Sequence, residues 1–127
     1  MLKVGLIQPN FQTGPKHLNS FYLPYTVGLL WSYVKQSPTI SENYQLYDML
    51  FRRDNVYEAV EHYKHCDVVI VSFYIWSSKY CFRFCDLLKK ANPDIKILAG
   101  GPDLDWRDKE FFNKYPYIDF IVVGEGE

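Results

Sequence analysis

Ser72, Gly100, Gly101, Pro102, Gly124 and Glu125 stand where three apolar runs stop, and they are the residues whose placement could serve chemistry. Adjacent glycines reach backbone angles closed to other residues and hold nothing bulky at a distance. Pro102 fixes its own φ and withdraws a donor, so neither strand nor helix continues through it. A bare turn at the carboxyl end of a parallel strand accepts a large flat ligand. Tyr74, Trp76 and Ser77 fill the loop after Ser72 with rings and hydroxyls that can line the same place. Bond-breaking machinery is another matter, because no nucleophile, base and orienting group stand in a recognisable set. Cys81 and Cys85 are four apart, the spacing that opens an iron–sulfur ligand run, but position 88 is Leu and the pair falls mid-helix between inward aromatics. Both read as core thiols, as does Cys66 ahead of a buried strand. Asp103 and Asp105 read as turn and capping residues. Glu125 and Glu127 read as a solvated pair.

The elements that must position these residues alternate. Strands are expected at Leu2–Ile7, Tyr44–Asp48, Asp67–Ser72, Ile95–Ala99 and Tyr117–Val123. The run DVVIVS has no apolar–polar alternation, the mark of a parallel strand covered on both faces. Residues 11–23 form a polar loop of unusual length, and such loops are commonly functional. Pro24 suits the first turn of a helix whose Val27, Leu30, Trp31 and Val34 share one stripe, with Gly28 beside it for close packing on the sheet. Asp54 caps a second helix. Tyr80, Phe84, Leu87, Leu88 and Ala91 face inward on a third, and Asp105 or Asp108 caps a fourth carrying Phe111, Phe112 and Tyr115. The crossovers are long enough for right-handed parallel connections. The expected fold is α/β, a three-layer sandwich around a five-stranded parallel sheet in flavodoxin-like 2-1-3-4-5 order, with a C-terminal helix truncated.

Residues 1–127 fit one domain with a real core. The net charge of −1 has no sign bias, which argues against nucleic acid or an anionic membrane as partner. No apolar run approaches the roughly 20 residues of a membrane span. The chain enters its first strand without a secretory signal and carries an odd count of three cysteines, so a cytoplasmic protein with reduced thiols is expected. Because Glu127 follows directly on a strand, the sequence reads as the N-terminal piece of a longer protein. In isolation it is expected to be a monomer.

Several ligands common on this architecture can be tested by residue. A dinucleotide site needs Gly-x-Gly-x-x-Gly after the first strand, and a P-loop needs Gly-Lys-Ser/Thr. Neither is present. A phospho-acceptor domain needs carboxylates where Gln8-Pro9-Asn10 and Ser72 stand. A flavodoxin-like FMN carrier needs a hydroxyl-rich loop after the first strand, of which Thr13-Gly14 supplies little. That carrier and a vestigial, cofactor-free interaction domain remain as alternatives.

The set Pro24-x-x-x-Gly28-Leu29-Leu30, Val71-Ser72-Phe73, Leu98-Ala99-Gly100-Gly101-Pro102 and Val123-Gly124-Glu125-Gly126-Glu127 resembles the N-terminal cobalamin-binding domain of cobalamin-dependent radical SAM enzymes. That class includes methyltransferases and the anaerobic magnesium-protoporphyrin oxidative cyclase type. The resemblance implies a corrin over the carboxyl edge of the sheet and a nucleotide tail between the loops. It places Ser72, Tyr74 and Trp76, with Ser77 in the same loop, along the tail's cleft. Gly100, Gly101 and Pro102 would pass beneath, and Gly124 and Glu125 would close the far side. It also implies a radical SAM domain in cis, bringing S-adenosylmethionine and a [4Fe-4S] cluster to a methyl transfer or related radical reaction; no catalysis is expected of this chain alone. The Asp-x-His-x-x-Gly run of methionine-synthase-type domains is broken here: His17 is present, but Pro15 and Ser20 replace its Asp and Gly. His17 therefore lacks the carboxylate that would orient it on cobalt, and no cobalt ligand is assigned.

Overall fold

The computed structural model describes residues 1–13 and 20–124. In chain order the elements are β1 (Leu2–Ile7), β2 (Gln12–Thr13), β3 (Ser20–Phe21), α1 (Tyr25–Val34), α2 (Pro38–Asn43), β4 (Tyr44–Leu50), α3 (Val56–Tyr63), β5 (Val68–Ser72), α4 (Ser78–Ala91), β6 (Lys96–Gly100), α5 (Phe111–Lys114) and β7 (Phe120–Ile121). The main sheet runs β4-β1-β5-β6-β7, and every neighbouring pair is parallel. Counted along the chain this is the expected 2-1-3-4-5 order of a flavodoxin-like α/β fold.

Strand alternation sorts the core onto two faces. Ile7, Val69, Val71, Ile97 and Ala99 meet α3, α4 and α5 through Tyr63, Phe84, Leu88 and Phe111. Val4 and Leu6 point the other way and meet Val27 and Trp31 of α1. β5 is covered unequally: Val69 and Val71 are buried, while Val68 and Ile70 are only half covered. The unbroken apolar run had implied cover on both faces. One face is open because α1 reaches β1 and part of β5 and leaves a gap over β6 and β7.

The remaining departures are local. Part of the long loop folds back as a small antiparallel ribbon, β2 with β3. A short helix absent from the sequence reading, α2, starts at Pro38, whose fixed φ suits the first helical position. β4 extends two residues further than expected, to Leu50. Asn55, not Asp54, caps α3: its Oδ1 accepts from the N–H groups of Tyr57 and Glu58 at 3.0 and 3.3 Å. The fourth crossover contracts to a single turn, α5, and the last strand to two residues, although Val122 N–H continues its ladder to the carbonyl of Ala99. At the amino edge, the Asp119 carboxylate accepts from Lys89 Nζ at 2.6 Å and from Ile97 N–H at 2.8 Å, joining α4 to β6. No helix among the described residues is long and apolar enough to cross a membrane.

Candidate functional site

The gap beside α1 is a groove of about 710 Å³ that opens at the carboxyl edge of the sheet. Val27, Leu30 and Val34 of α1 form one wall. Ile70, Leu98 and Ile121 form the floor, and Gly100, Gly101, Pro102 and Gly124 close the side along β6 and β7. Ser72, Thr26 and Tyr74 bring hydroxyls to it, with Thr26 Oγ1 and Tyr74 Oη 3.0 Å apart. None of the described residues lining the groove carries a charge at neutral pH. Its chemistry is that of a slot for a neutral, flat, largely apolar group whose polar atoms lie near the mouth. It flanks the point where strand order reverses between β1 and β5, the usual ligand position in such sheets.

Of the residues singled out from the sequence, Ser72, Tyr74, Gly100, Gly101, Pro102 and Gly124 meet in this groove. Trp76 and Ser77 do not line it. The Trp76 ring stacks on Tyr74 at 4.7 Å, is 43% exposed, and stands at the carboxyl edge near Phe11. Arg53 donates to its carbonyl. The Ser77 hydroxyl serves the turn, 3.4 Å from both the N–H and the carbonyl oxygen of Tyr74. His17 and Glu125 lie outside the described residues.

The two glycines have separate jobs. At Gly100 an added Cβ would stand 3.7 Å from Val122 Cβ, an ordinary contact. At Gly101 the backbone is left-handed, φ +112°, and a Cβ would fall 2.3 Å from the carbonyl oxygen of Phe73. Gly101 is thus bare because the loop after β5 presses against it, whereas the sequence suggested a bare floor for ligand. Gly28 also departs from its expected role, since a Cβ there would meet nothing within 4 Å.

The thiols behave as core. Cys81 and Cys85 are fully buried, and Cys81 Sγ donates weakly to the carbonyl of Ser72 at 3.8 Å. Burial pushes the Cys81 and Cys66 thiols up to about 12 and the Cys85 thiol well above its ordinary value. Protonated thiols are neither nucleophiles nor metal ligands. Among the described residues no group of three or more His, Cys, Asp or Glu could hold a metal ion.

Sequence reasoning missed Trp106, which lines the groove from the loop after β6, and it misjudged α1. Leu29, Leu30, Trp31, Tyr33 and Val34 make that helix apolar on more than one side, yet only Val27 is buried. A helix apolar on more than one side was the available signal that α1 faces more than the core.

A family model described as the B12 binding domain matches residues 31–127. The chain belongs to the B12-binding domain family. This B12-binding domain is 34% identical over 106 residues to the 2-(S-pantetheinyl)-carbapenam-3-carboxylate methyltransferase of Streptantibioticus cattleyicolor. It is 33% identical over 111 residues to the cobalamin-dependent radical SAM methyltransferase TokK of Streptomyces tokunonensis. The matches cover 84% and 87% of this chain but 16% of each relative's length. Among solved structures, a protein described as pilus assembly-related from Burkholderia pseudomallei K96243 superposes with a TM-score of 0.54, covering 96% of this chain and 77% of that one. At 8% identity that likeness is to the fold alone.

Proposed function

We propose that this domain binds cobalamin with the nucleotide tail in the groove between α1 and the sheet, and that it presents the corrinoid to a radical SAM domain in a longer protein. The observation that carries the reading is the uncharged groove of about 710 Å³ at the carboxyl edge, in a chain of the B12-binding family. The lining fits the tail. Val27, Leu30, Ile70 and Leu98 exclude water from an aromatic base, and Gly100 leaves width for it. The hydroxyls of Ser72, Thr26 and Tyr74 offer hydrogen bonds to ring nitrogen, ribose or phosphate. At the edge outside the groove, the stacked Tyr74–Trp76 pair gives an apolar surface on which a macrocycle can rest. When bound, cobalamin supplies a cobalt centre able to carry a methyl group. S-adenosylmethionine and the iron–sulfur cluster belong, in this reading, to the partner domain in cis. The protonated core thiols of this chain take no part.

Titration of the 127-residue chain with hydroxocobalamin tests the reading. The visible bands should shift and tryptophan fluorescence should be quenched, since Trp31 and Trp106 line the groove. No change in either signal overturns cobalamin binding and favours the cofactor-free interaction domain. Gly100→Val should weaken binding by about tenfold or more while leaving the unfolding midpoint near that of the parent. Retained affinity would remove Gly100 from the site.

A further inference from the structure

The wall of the groove formed by α1 is attached to the molecule in an unusual way. Of its ten residues only Val27 is buried, and Trp31 adds a partly covered ring. So little apolar cover cannot by itself fix where a helix sits. The helix also lacks a local cap, because Pro24 at its N-cap has no side chain that accepts a hydrogen bond. The missing acceptor comes from the segment that follows β1. Gln8, 6% exposed, directs Oε1 to the N–H of Val27 at 3.2 Å. Val27 is the third helical residue, the position an N-cap oxygen normally serves. Asn10, 5% exposed, donates from Nδ2 to the carbonyls of Tyr22 and Leu23 at 3.1 and 3.3 Å, fixing the segment that leads into the helix. The backbones of both residues extend the sheet, Gln8 N–H to Leu50 and Asn10 N–H to Phe51. A Ser or Asp at position 24 would have capped the helix equally well, but it would not have joined it to the sheet.

We infer that Gln8 and Asn10 are positioning residues for the ligand of this groove: their side-chain amides, anchored in the β1 ladder, set the distance of α1 from the sheet and hence the width of the slot. The inference rests on the cobalamin reading, and it concerns the slot for the tail rather than the edge where the macrocycle would lie. It has a chemical signature. Gln8 acts as an acceptor, so Gln8→Glu keeps its function and Gln8→Leu removes it. Asn10 acts as a donor to two carbonyls, so both Asn10→Asp and Asn10→Leu remove its function.

The test compares cobalamin with cobinamide, which has the macrocycle but no nucleotide tail. Gln8→Leu, Asn10→Leu and Asn10→Asp should each weaken cobalamin binding about tenfold while leaving cobinamide binding within about twofold. Gln8→Glu should bind both as the parent does. Amide hydrogen exchange of the ligand-free variants should rise about tenfold at Val27 in Gln8→Leu but not in Gln8→Glu. Equal losses for the two corrinoids, or no loss for either, overturn the inference. Failure of Gln8→Glu to differ from Gln8→Leu overturns it too, because packing and not the hydrogen bond would then be responsible. A parent chain that binds neither corrinoid overturns the cobalamin reading and the ligand half of this inference with it. The tether itself is then decided by exchange, and unchanged exchange at Val27 in Gln8→Leu overturns that half.

Discussion

Gly101 and Gly100 are neighbours with opposite tolerances. Gly101 combines a left-handed φ of +112° with a Phe73 backbone that leaves no room for a methyl group. Gly101→Ala should therefore cost about 2–4 kcal/mol, measured by denaturant unfolding. Gly100 ends β6 with ordinary space around it, so Gly100→Ala should change stability by no more than about 1 kcal/mol. A destabilised Gly100→Ala with a normal Gly101→Ala would reverse this assignment of roles. The glycine pair was visible in the sequence as a turn. Its division of labour was not, because the crowding atom is the carbonyl of a residue 28 positions earlier. Ser72 and Tyr74 were legible for a simpler reason: residues at the end of a buried parallel strand, or just beyond it, must lie on the carboxyl edge.

At the scale of the element, α3 and α4 give the clearest expectations. Asn55→Ala should lower stability by about 1 kcal/mol, since it leaves two first-turn N–H groups without their acceptor, whereas Asp54→Ala should have almost no effect. Comparison of the two unfolding midpoints decides between the caps. In α4 the pair Cys81 and Cys85 should resist a soluble disulfide reagent in the native protein and react fully in denaturant. Rapid native labelling would mean that the helix opens readily. The period of α4 identified its buried Phe84 and Leu88 correctly, because one face must meet the sheet. The same logic failed for α1. Periodicity says which side is apolar, but it cannot say whether a partner covers that side or a cavity adjoins it.

For the whole molecule, strand order followed from sequence because parallel strands need long crossovers and one handedness allows few arrangements. The groove did not follow, since its volume arises between a helix and three strands far apart along the chain. Burial of the cysteines also has a consequence for the whole fold. Below an ordinary thiol pKa of 9.0 the thiols are protonated in both folded and unfolded chains, and their contribution to stability is complete. Above it the unfolded chain releases protons first, while Cys66 and Cys81 hold theirs to about 12. Stability should therefore fall as pH rises from 9.0 toward about 12, with the buried Tyr63 and Tyr80 phenols acting in the same direction. Urea unfolding at about pH 7.5 and about pH 10.5 measures the slope, and a flat profile would contradict the burial described.

The loops after β5 and β6 are stitched together. Phe73 N–H meets the Gly100 carbonyl at 2.8 Å, Asp103 N–H returns to the Phe73 carbonyl at 3.3 Å, and Ser78 donates to the Asp103 carboxylate. They form one stiff jaw. Set against it, the opposite jaw, α1, has only Val27 buried and is held at its amino end by the Gln8 and Asn10 amides, so the two sides of this mouth are fastened unequally.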